Sequence, residues 1–250
     1  MTPHPDRMET PVPHDPDTFL AACTIEPAVS ELRPDYRAAL LVVEGLDPAS
    51  DAGTERAEAM LVEAEQHARG LLADSPVEEL AHIAAWREAY RAFGAKPQRT
   101  RNSLEALTRR AGDGLPRINP LTDIYNTVSV RHQVPIGGED LDAYVGAARL
   151  VRATGDEHFA TVVSGEPAVE HPAPGEVVWC DDDGVTCRRW NWRQGPRTAL
   201  STGTTRALFI LDALGPMSDE ALAVAVDELA SALGSLGDRV TVSRRVLAAG

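Results

Sequence analysis

The 250-residue sequence lacks the motifs that mark most large enzyme classes. It contains no GxSxG, HExxH, GxGxxG or P-loop pattern, which argues against serine hydrolases, zinc peptidases, dinucleotide-binding enzymes and nucleotide hydrolases. Its only cysteines are Cys23, Cys180 and Cys187. Cys180 and Cys187 flank an acidic turn and could face each other across a hairpin, but no CxxC or HxxxH spacing supports a metal site. We therefore expect neither a metal nor a cofactor.

Long apolar runs are also missing. No segment approaches the roughly 18 apolar residues that a membrane span requires, and the N-terminal MTPHPDRMETPVPHDPDTF has prolines and acids where a signal peptide would be basic and then apolar. These features predict a cytoplasmic protein that does not enter a membrane. Residues 1–17 have no hydrophobic period and are expected to form a disordered tail, with residues 18–250 forming one domain.

Positive charge is scarce and concentrated. The net charge is −14, and Lys96 is the only lysine. Nevertheless, residues 86–132 contain nine basic and four acidic residues, and residues 188–210 contain five arginines and no acid. We call this second segment the arginine strip. Local reversal of sign indicates that both segments line one surface that meets an anion. The alternative is that each arginine pairs with a nearby acid, and the sequence leaves both interpretations open.

Hydrophobic periodicity predicts helices first and strands later. Helical spacing occurs in DAGTERAEAMLVEAEQHARGLLADSP, SPVEELAHIAAWREAYRAFG, SLEALTRRAGDG and SDEALAVAVDELASALGSLG. The segment TDIYNTVSVRHQ is expected to be a helix that starts at Thr122, with a strand as the alternative. Strand patterns occur in RAALLVVEGL, AARLVRAT, HFATVV, GEVVWCD, VTCRRWNW, ALFILDAL and RVTVSRRVLA, with a hairpin at DDDG. The order predicts an α+β fold in which N-terminal helices pack on a largely antiparallel sheet.

The arginine strip is rich in side chains that donate and accept hydrogen bonds. If VTCRRWNW is a strand throughout, Arg189, Asn191 and Arg193 share one face, and the tryptophans face the other. Gln194 follows, then Gly195 and Pro196, which favour a loop whose backbone can approach a ligand closely. Alternatively, the amides only cap loops and the threonines only form strands.

Several segments, in their order, resemble the B3/B4 module, the editing domain of the β subunit of bacterial phenylalanyl-tRNA synthetase. They are WREAYRAFGAKPQRTRNSLEALTRR, LPRINPLTDIYNTVSVRHQVPIGGEDLDAY, RATGDEHF, PGEVVWCDDDGVTCRRWNWRQ and TTRALFILDAL. The resemblance covers about residues 35–245, and it is greatest to short free-standing copies of the module. It implies a deacylase that acts in trans, hydrolysing the ester that joins a wrong amino acid to the terminal adenosine of a tRNA.

Such a reaction needs a positioned water and stabilisation of a tetrahedral oxyanion. The resemblance assigns this role to the polar side chains of the strip, and a second wall of the pocket to the PRINPLTDIYN segment. The expected catalytic residues are Asn191, Gln194, Thr202 and Thr205. The expected substrate-binding residues are Asn119, Pro120, Asn126, Gly137, Trp190, Thr198 and Thr204. The expected RNA contacts are Arg99, Arg101, Arg189, Arg193 and Arg197.

Two departures from the synthetase pattern limit what the resemblance implies. Gly137 stands where the synthetase module has a histidine, and the strip has RQGPRTA where the synthetase has a glutamate. Because those groups help to recognise tyrosine there, we expect a different mischarged amino acid to be the substrate. Two alternatives remain: a non-catalytic module that binds a tRNA end or an amino acid, and a hydrolase of small esters.

Overall fold

A computed structural model describes residues 15–248 of the chain. The helices are α1 (Pro16–Ala22), α2 (Pro27–Leu32), α3 (Asp51–Asp74), α4 (Ala81–Ala92), α5 (Ser103–Ala111), α6 (Pro120–His132) and α7 (Asp219–Gly234). The strands are β1 (Thr24–Ile25), β2 (Arg37–Glu44), β3 (Ile136–Asp140), β4 (Arg149–Arg152), β5 (Phe159–Val163), β6 (Glu166–Glu170), β7 (Val177–Cys180), β8 (Val185–Arg188), β9 (Arg193–Gln194), β10 (Arg206–Ala213) and β11 (Thr241–Ala248). The α+β prediction is confirmed.

Two sheets and a hairpin organise the strands. One sheet has the order β11-β2-β10-β3 and is antiparallel throughout. The second has the order β1-β4-β7-β8-β9, in which only β1 and β4 run parallel. Strands β5 and β6 form a separate hairpin. Most of the pairing is therefore antiparallel, as the sequence predicts.

The central strands β2 and β10 are buried on both faces. On one face, side chains such as Leu41 and Phe209 join a core with residues of α6 and α7. On the other face, Leu40 and Ile210 join a core with Trp86 of α4 and residues of the second sheet. Alternating side chains of one strand enter different cores because successive strand residues point to opposite faces. The near-continuous apolar sequence of these strands follows from this double burial.

Several predicted boundaries are wrong. The expected tail of residues 1–17 overlaps α1, because the Asp15 carboxylate accepts a hydrogen bond from the Thr18 N–H and caps a helix that starts at Pro16. Residues 1–14 of that tail lie outside the described residues. Helix α6 starts at Pro120 rather than Thr122, because Asn119 is its N-cap. The helix predicted over residues 76–94 is a 3₁₀ turn at Val77–Glu79 followed by α4, with extended backbone at Leu80 between them.

The DDDG hairpin is present between β7 and β8, but its cysteines do not oppose each other. Trp179 pairs with Cys187, and a register shift places Cys180 opposite Val185. All three cysteines are buried free thiols. The strand β6 was not predicted, and the strand predicted over residues 185–192 ends at Arg188.

Candidate functional site

A cavity of about 260 Å³ lies between the two sheets and the helices α5 and α6. The residues that line it come from seven elements and from the turn before β9. They are Ser103, Ala106, Leu107, Tyr125, Asn126, Ile136, Gly137, Glu139, Trp179, Cys187, Trp190, Asn191, Trp192, Arg193, Gln194, Ile210 and Asp212. Its walls are mainly aromatic and aliphatic, and a few polar groups converge on it, which is the usual composition of a small-molecule site.

A tight turn brings the arginine strip to this cavity. Arg189 and Trp190 have left-handed backbone, with φ of 48° and 69°, so the chain leaves the β8 direction after Arg188. The Trp190 N–H donates to the Val177 carbonyl at 2.7 Å, and the Asn191 carbonyl accepts from the Ser103 N–H at 3.0 Å. The predicted strand alternation is therefore wrong here. Trp190 and Asn191 both line the cavity instead of pointing to opposite faces. Left-handed backbone at a tryptophan is strained, and such strain is concentrated at functional sites.

The part of the lining that β3 and β10 contribute is called the cavity floor. The Asp212 carboxylate lies in a buried polar network at one end of it. It accepts hydrogen bonds from the Tyr36 hydroxyl at 2.5 Å and from the Asn191 side-chain amide at 3.2 Å. The Asn191 carbonyl oxygen in turn accepts from the Tyr90 hydroxyl at 2.9 Å. Both ends of the Asn191 amide are thus engaged. Its geometry is that of a residue that positions Asp212.

The Glu139 carboxylate forms a second network on β3. It accepts hydrogen bonds from the Tyr144 hydroxyl and from the Gln194 side-chain amide, the latter at 3.2 Å. The same Gln194 nitrogen donates to the Gly138 carbonyl at 2.8 Å. Gln194 therefore connects β9 to β3 and holds the Glu139 carboxylate against the cavity.

Both carboxyl groups have strongly perturbed acidity. Burial raises the pKa of Asp212 to about 7, although the hydrogen bonds from Tyr36 and Asn191 act to lower it. Burial likewise raises the pKa of Glu139 to about 7 against the opposing effect of Gln194. A carboxyl that titrates near neutral pH is suited to transfer a proton under physiological conditions. The cavity therefore contains two candidate acid–base groups.

Gly137 leaves space in the middle of the cavity, and Asn126 presents a side-chain amide to the cavity. A Cβ added at Gly137 would approach only the Gln194 amide nitrogen, at 3.9 Å, so the glycine creates space rather than permitting unusual backbone. Asn126 is 5% exposed, and its side chain has no hydrogen bond to any residue in the range 15–248. A buried amide without a partner that faces a cavity is available to a ligand.

The arginine strip is largely neutralised by acids that lie elsewhere in the sequence. Arg188 makes bidentate hydrogen bonds to Glu176 at 2.8 and 2.9 Å and contacts Glu170 at 2.8 Å. Arg197 binds both oxygens of Asp181 at 2.7 and 2.9 Å. Arg206 pairs with Glu44 and Asp142. The interpretation that arginines pair with acids holds most clearly for these three, while Arg189 lies 3.6 Å from Glu176 and Arg193 lies 3.8 Å from Glu170. Arg197, predicted to contact RNA, instead fixes the hairpin at Asp181.

The other two arginines of the strip, Arg189 beside the cavity and Arg193 in its lining, both approach the Trp192 ring. The Arg189 guanidinium is 4.3 Å from the centre of a Trp192 ring, and that of Arg193 is 5.9 Å away. Arg189 also donates to the Thr100 hydroxyl, which joins the strip to the first basic segment. Arg99 and Arg101 flank Thr100 and are exposed. The two basic segments thus meet at one side of the cavity.

The structure brings six of the predicted residues to the cavity and leaves ten outside its lining. Asn191, Gln194, Asn126, Gly137, Trp190 and Arg193 line it. Asn119 caps α6, which carries Asn126, and Pro120 is buried in the first turn of that helix. Arg99, Arg101 and Arg189 lie beside the cavity, and Arg197 lies in the Asp181 ion pair.

The predicted threonines do not line the cavity. Thr202 and Thr205 are exposed in the loop before β10, and Thr198 is buried in a 3₁₀ turn. The Thr204 hydroxyl donates to Asp140 at 2.7 Å and accepts from the Ser201 N–H at 3.1 Å. Thr204 therefore stabilises the loop. In this geometry none of the four contacts a ligand in the cavity.

Sequence reasoning missed the two carboxyl groups. Asp212 is the single acid within the apolar strand ALFILDAL, and Glu139 follows two glycines in IGGEDL. A lone acid in a strand that is buried on both faces is costly without a partner, so it was a signal of a site. The aromatic residues Tyr125 and Trp179 carried no comparable signal, because such residues are usually core.

Comparison with known proteins identifies the family. The sequence model of the B3/4 domain matches residues 85–233, which is more than half of the chain. The chain belongs to the B3/4 domain family. Strands β3 to β10, helices α5 and α6, and every residue lining the cavity lie within the matched range.

One solved structure that the chain matches is an N-terminal fragment of the phenylalanyl-tRNA synthetase β subunit from Pyrococcus horikoshii. It is 12% identical, with a TM-score of 0.44. The alignment covers 89% of this chain and 53% of that fragment, so this chain spans about half of its length. No curated protein sequence matches significantly.

Among residues 15–248, no group of three or more His, Cys, Asp or Glu side chains is arranged to hold a metal ion. Within the same range, each helix is too short or too polar to cross a bilayer.

Proposed function

We propose that this B3/4 domain protein is an aminoacyl-tRNA deacylase that acts in trans on mischarged tRNA. The observation that carries the proposal is the cavity between the sheets, where aromatic walls and the Glu139 carboxyl group, whose pKa is raised, occur beside a cationic surface. Its volume of about 260 Å³ suits an aminoacyl group. Family membership supports the same substrate, because the B3/B4 module it resembles edits aminoacyl-tRNA.

Glu139 is the proposed general base. In its ionised form it accepts a proton from a water molecule, whose oxygen attacks the ester carbonyl carbon. The tetrahedral intermediate collapses with loss of the ribose oxygen, which takes the proton from Glu139, and the products are the free amino acid and tRNA. Gln194 positions Glu139, since its amide nitrogen is bound to both Glu139 and the Gly138 carbonyl. The raised pKa of Glu139 matches it to this role near neutral pH.

The tRNA end is proposed to approach over the surface formed by Arg99, Arg101, Arg189, Trp192 and Arg193. The half-buried Trp192 ring and the planar guanidinium groups offer stacking to an unpaired base, and the arginines offer contacts to phosphate. The net charge of −14 predicts transient and salt-sensitive binding.

The test is a deacylation assay of the purified protein on a panel of correctly and wrongly charged tRNAs. We expect hydrolysis of at least one mischarged species, and a loss of 100-fold or more in kcat/KM for Glu139→Gln. Thr202→Ala is the matched control, because Thr202 is exposed away from the cavity. Absence of hydrolysis across the panel by a folded protein contradicts the proposal.

The assay also separates the two alternatives. Hydrolysis of aminoacyl esters at a rate that does not depend on the tRNA body favours a small-ester hydrolase. Saturable binding of tRNA or amino acid without turnover favours a binding module.

A further inference from the structure

Asp212 has no role in the proposed reaction, although it is among the most costly residues in the cavity. It is 2% exposed, lies in a strand buried on both faces and makes no ion pair with any residue from 15 to 248. Its partners, Tyr36 and Asn191, are neutral. A buried carboxylate without a counter-ion is unfavourable by several kcal/mol. A ligand that supplies a positive charge would offset this cost.

The lining of the cavity favours a cation as well. Trp179, Trp190, Trp192 and Tyr125 contribute aromatic surface, and the negative faces of such rings attract ammonium and guanidinium groups. Arg193 is the only cationic residue in the lining, and its guanidinium is engaged by the Thr161 hydroxyl and lies 3.8 Å from Glu170. Asp212 therefore has no cationic partner in the cavity among the described residues.

The sheet register separates the two carboxyl groups. Glu139 on β3 pairs with Leu208 on β10, and Asp212 lies four residues further along β10 on the same face. Four residues of strand correspond to about 13 Å between the two backbone positions. Gly137, which pairs with Ile210, leaves the space between them unfilled. The carboxyl groups therefore approach the cavity from different ends.

This separation distinguishes the two cations that an aminoacyl ester can carry. The α-ammonium is attached to the carbon next to the ester carbonyl, so it stays at the Glu139 end when water attacks there. Only a charge at the end of an extended side chain can reach Asp212. The unpartnered Asn126 amide, also in the cavity lining, can accept a hydrogen bond from such a group or donate one to its neighbours.

We infer that Asp212 is a specificity-determining residue, and that the edited aminoacyl group has a long side chain that ends in an ammonium or guanidine-type cation. This inference rests on the proposed function, since it names the substrate class of the same site. It places the basic end of the side chain against Asp212, between aromatic walls, and the ester at Glu139.

The experiment compares the wild-type protein with Asp212→Asn on tRNAs charged with lysine, ornithine or arginine and with the uncharged isostere norleucine. We expect wild type to hydrolyse a basic ester at least 10-fold faster, in kcat/KM, than the norleucyl ester. Asp212→Asn should lower kcat/KM for the basic ester by 100-fold or more and for the norleucyl ester much less, so that the preference for the basic ester over the norleucyl ester falls at least 10-fold. Equal losses on both esters would overturn the inference, because they would assign Asp212 to the α-ammonium or to folding.

Binding of the free amino acids to the unmodified protein gives a second readout that needs no variant. Calorimetry should detect arginine, lysine or ornithine at concentrations where norleucine gives no signal. Stronger binding of norleucine would overturn the inference. If the protein hydrolyses only neutral aminoacyl-tRNAs, the specificity inference fails while the deacylase proposal stands. If basic amino acids bind but no aminoacyl-tRNA is hydrolysed, the cation site stands and the deacylase proposal fails.

Discussion

Charged groups are paired with opposite charges in the arginine strip, whereas the acids of the cavity floor have no such partners. In the strip, Arg188, Arg197 and Arg206 are each paired with acids from distant segments. On the floor, Asp212 and Glu139 are buried with neutral hydrogen-bond donors and no ion pair among the described residues. The strip is conspicuous in the sequence, and the floor is not. The comparison shows that a run of like charges can be structural, whereas a single buried charge without a counter-ion indicates a site.

Removing a cation from the strip should have the largest effect on stability. Arg188 is 6% exposed and makes three hydrogen bonds to Glu176 and Glu170, and Glu176 is 4% exposed. Arg188→Met leaves Glu176 buried without its main partner, so the free energy of unfolding should fall by about 3–5 kcal/mol. Urea denaturation measures it. Arg99→Met, at an exposed arginine, is the control and should change stability by less than about 0.5 kcal/mol. An equally small effect of Arg188→Met would remove the contrast between the two regions.

Removing the Asp212 carboxyl group from the floor should raise the free energy of unfolding, which is the opposite effect. The pKa of Asp212 is about 7 in the folded protein and near 3.8 when exposed, so the folded state holds a proton that the unfolded chain has lost between these values. Stability from this group is therefore present at acidic pH and is lost as pH rises toward 7. Asp212→Asn should be more stable than wild type by about 1–3 kcal/mol at pH 8, with the gain shrinking toward pH 5. Thermal unfolding across this range measures the difference. A gain that is independent of pH would contradict the assignment.

Part of this architecture could be predicted from sequence and part could not. Periodicity and caps located β2, α5, α7 and β10, because burial on a defined face leaves a repeating pattern. The turn at Arg189 and Trp190 could not be predicted, since its left-handed backbone is imposed by contacts with Val177 and Ser103. Asn191 does line the cavity, although the strand alternation from which we predicted its orientation was wrong.

The pairing of the strip depends on tertiary structure in the same way. Glu176 and Asp181 precede the strip in the sequence and meet Arg188 and Arg197 only when the hairpin of β7 and β8 closes. No local pattern contains that information. The threonines illustrate the converse, because a cluster of hydroxyl groups in the sequence lies in a 3₁₀ turn and a loop that do not line the cavity.

Two adjacent glycines of β3 test whether the floor is open. A Cβ at Gly138 would lie 2.8 Å from the Phe209 ring and from Leu200, whereas at Gly137 it would meet only the Gln194 amide at 3.9 Å. Gly138→Ala should therefore destabilise the protein by about 1–3 kcal/mol through overpacking. Gly137→Ala should change stability by less than about 1 kcal/mol while altering KM for the aminoacyl substrate. Denaturation and steady-state kinetics distinguish the two, and equal destabilisation would mean that Gly137 does not face free space.

The smallest effect should come from the threonine loop before β10, where the sequence predicted catalytic residues. Thr202 is exposed in the turn before β10, and Thr204 holds that loop through Asp140. Because neither residue lines the cavity, Thr202→Ala should leave the unfolding equilibrium constant and the kcat/KM for deacylation within about twofold of wild type. Thr204→Ala should cost about 1 kcal/mol through loss of the hydrogen bond to Asp140, and kcat should remain unchanged. Parallel measurement of unfolding and turnover separates the two quantities. A loss of kcat in Thr202→Ala without loss of stability would indicate that the reaction takes place near the strip and not at Glu139. It would contradict the contrast between the paired arginines of the strip and the unpaired carboxyl groups of the floor.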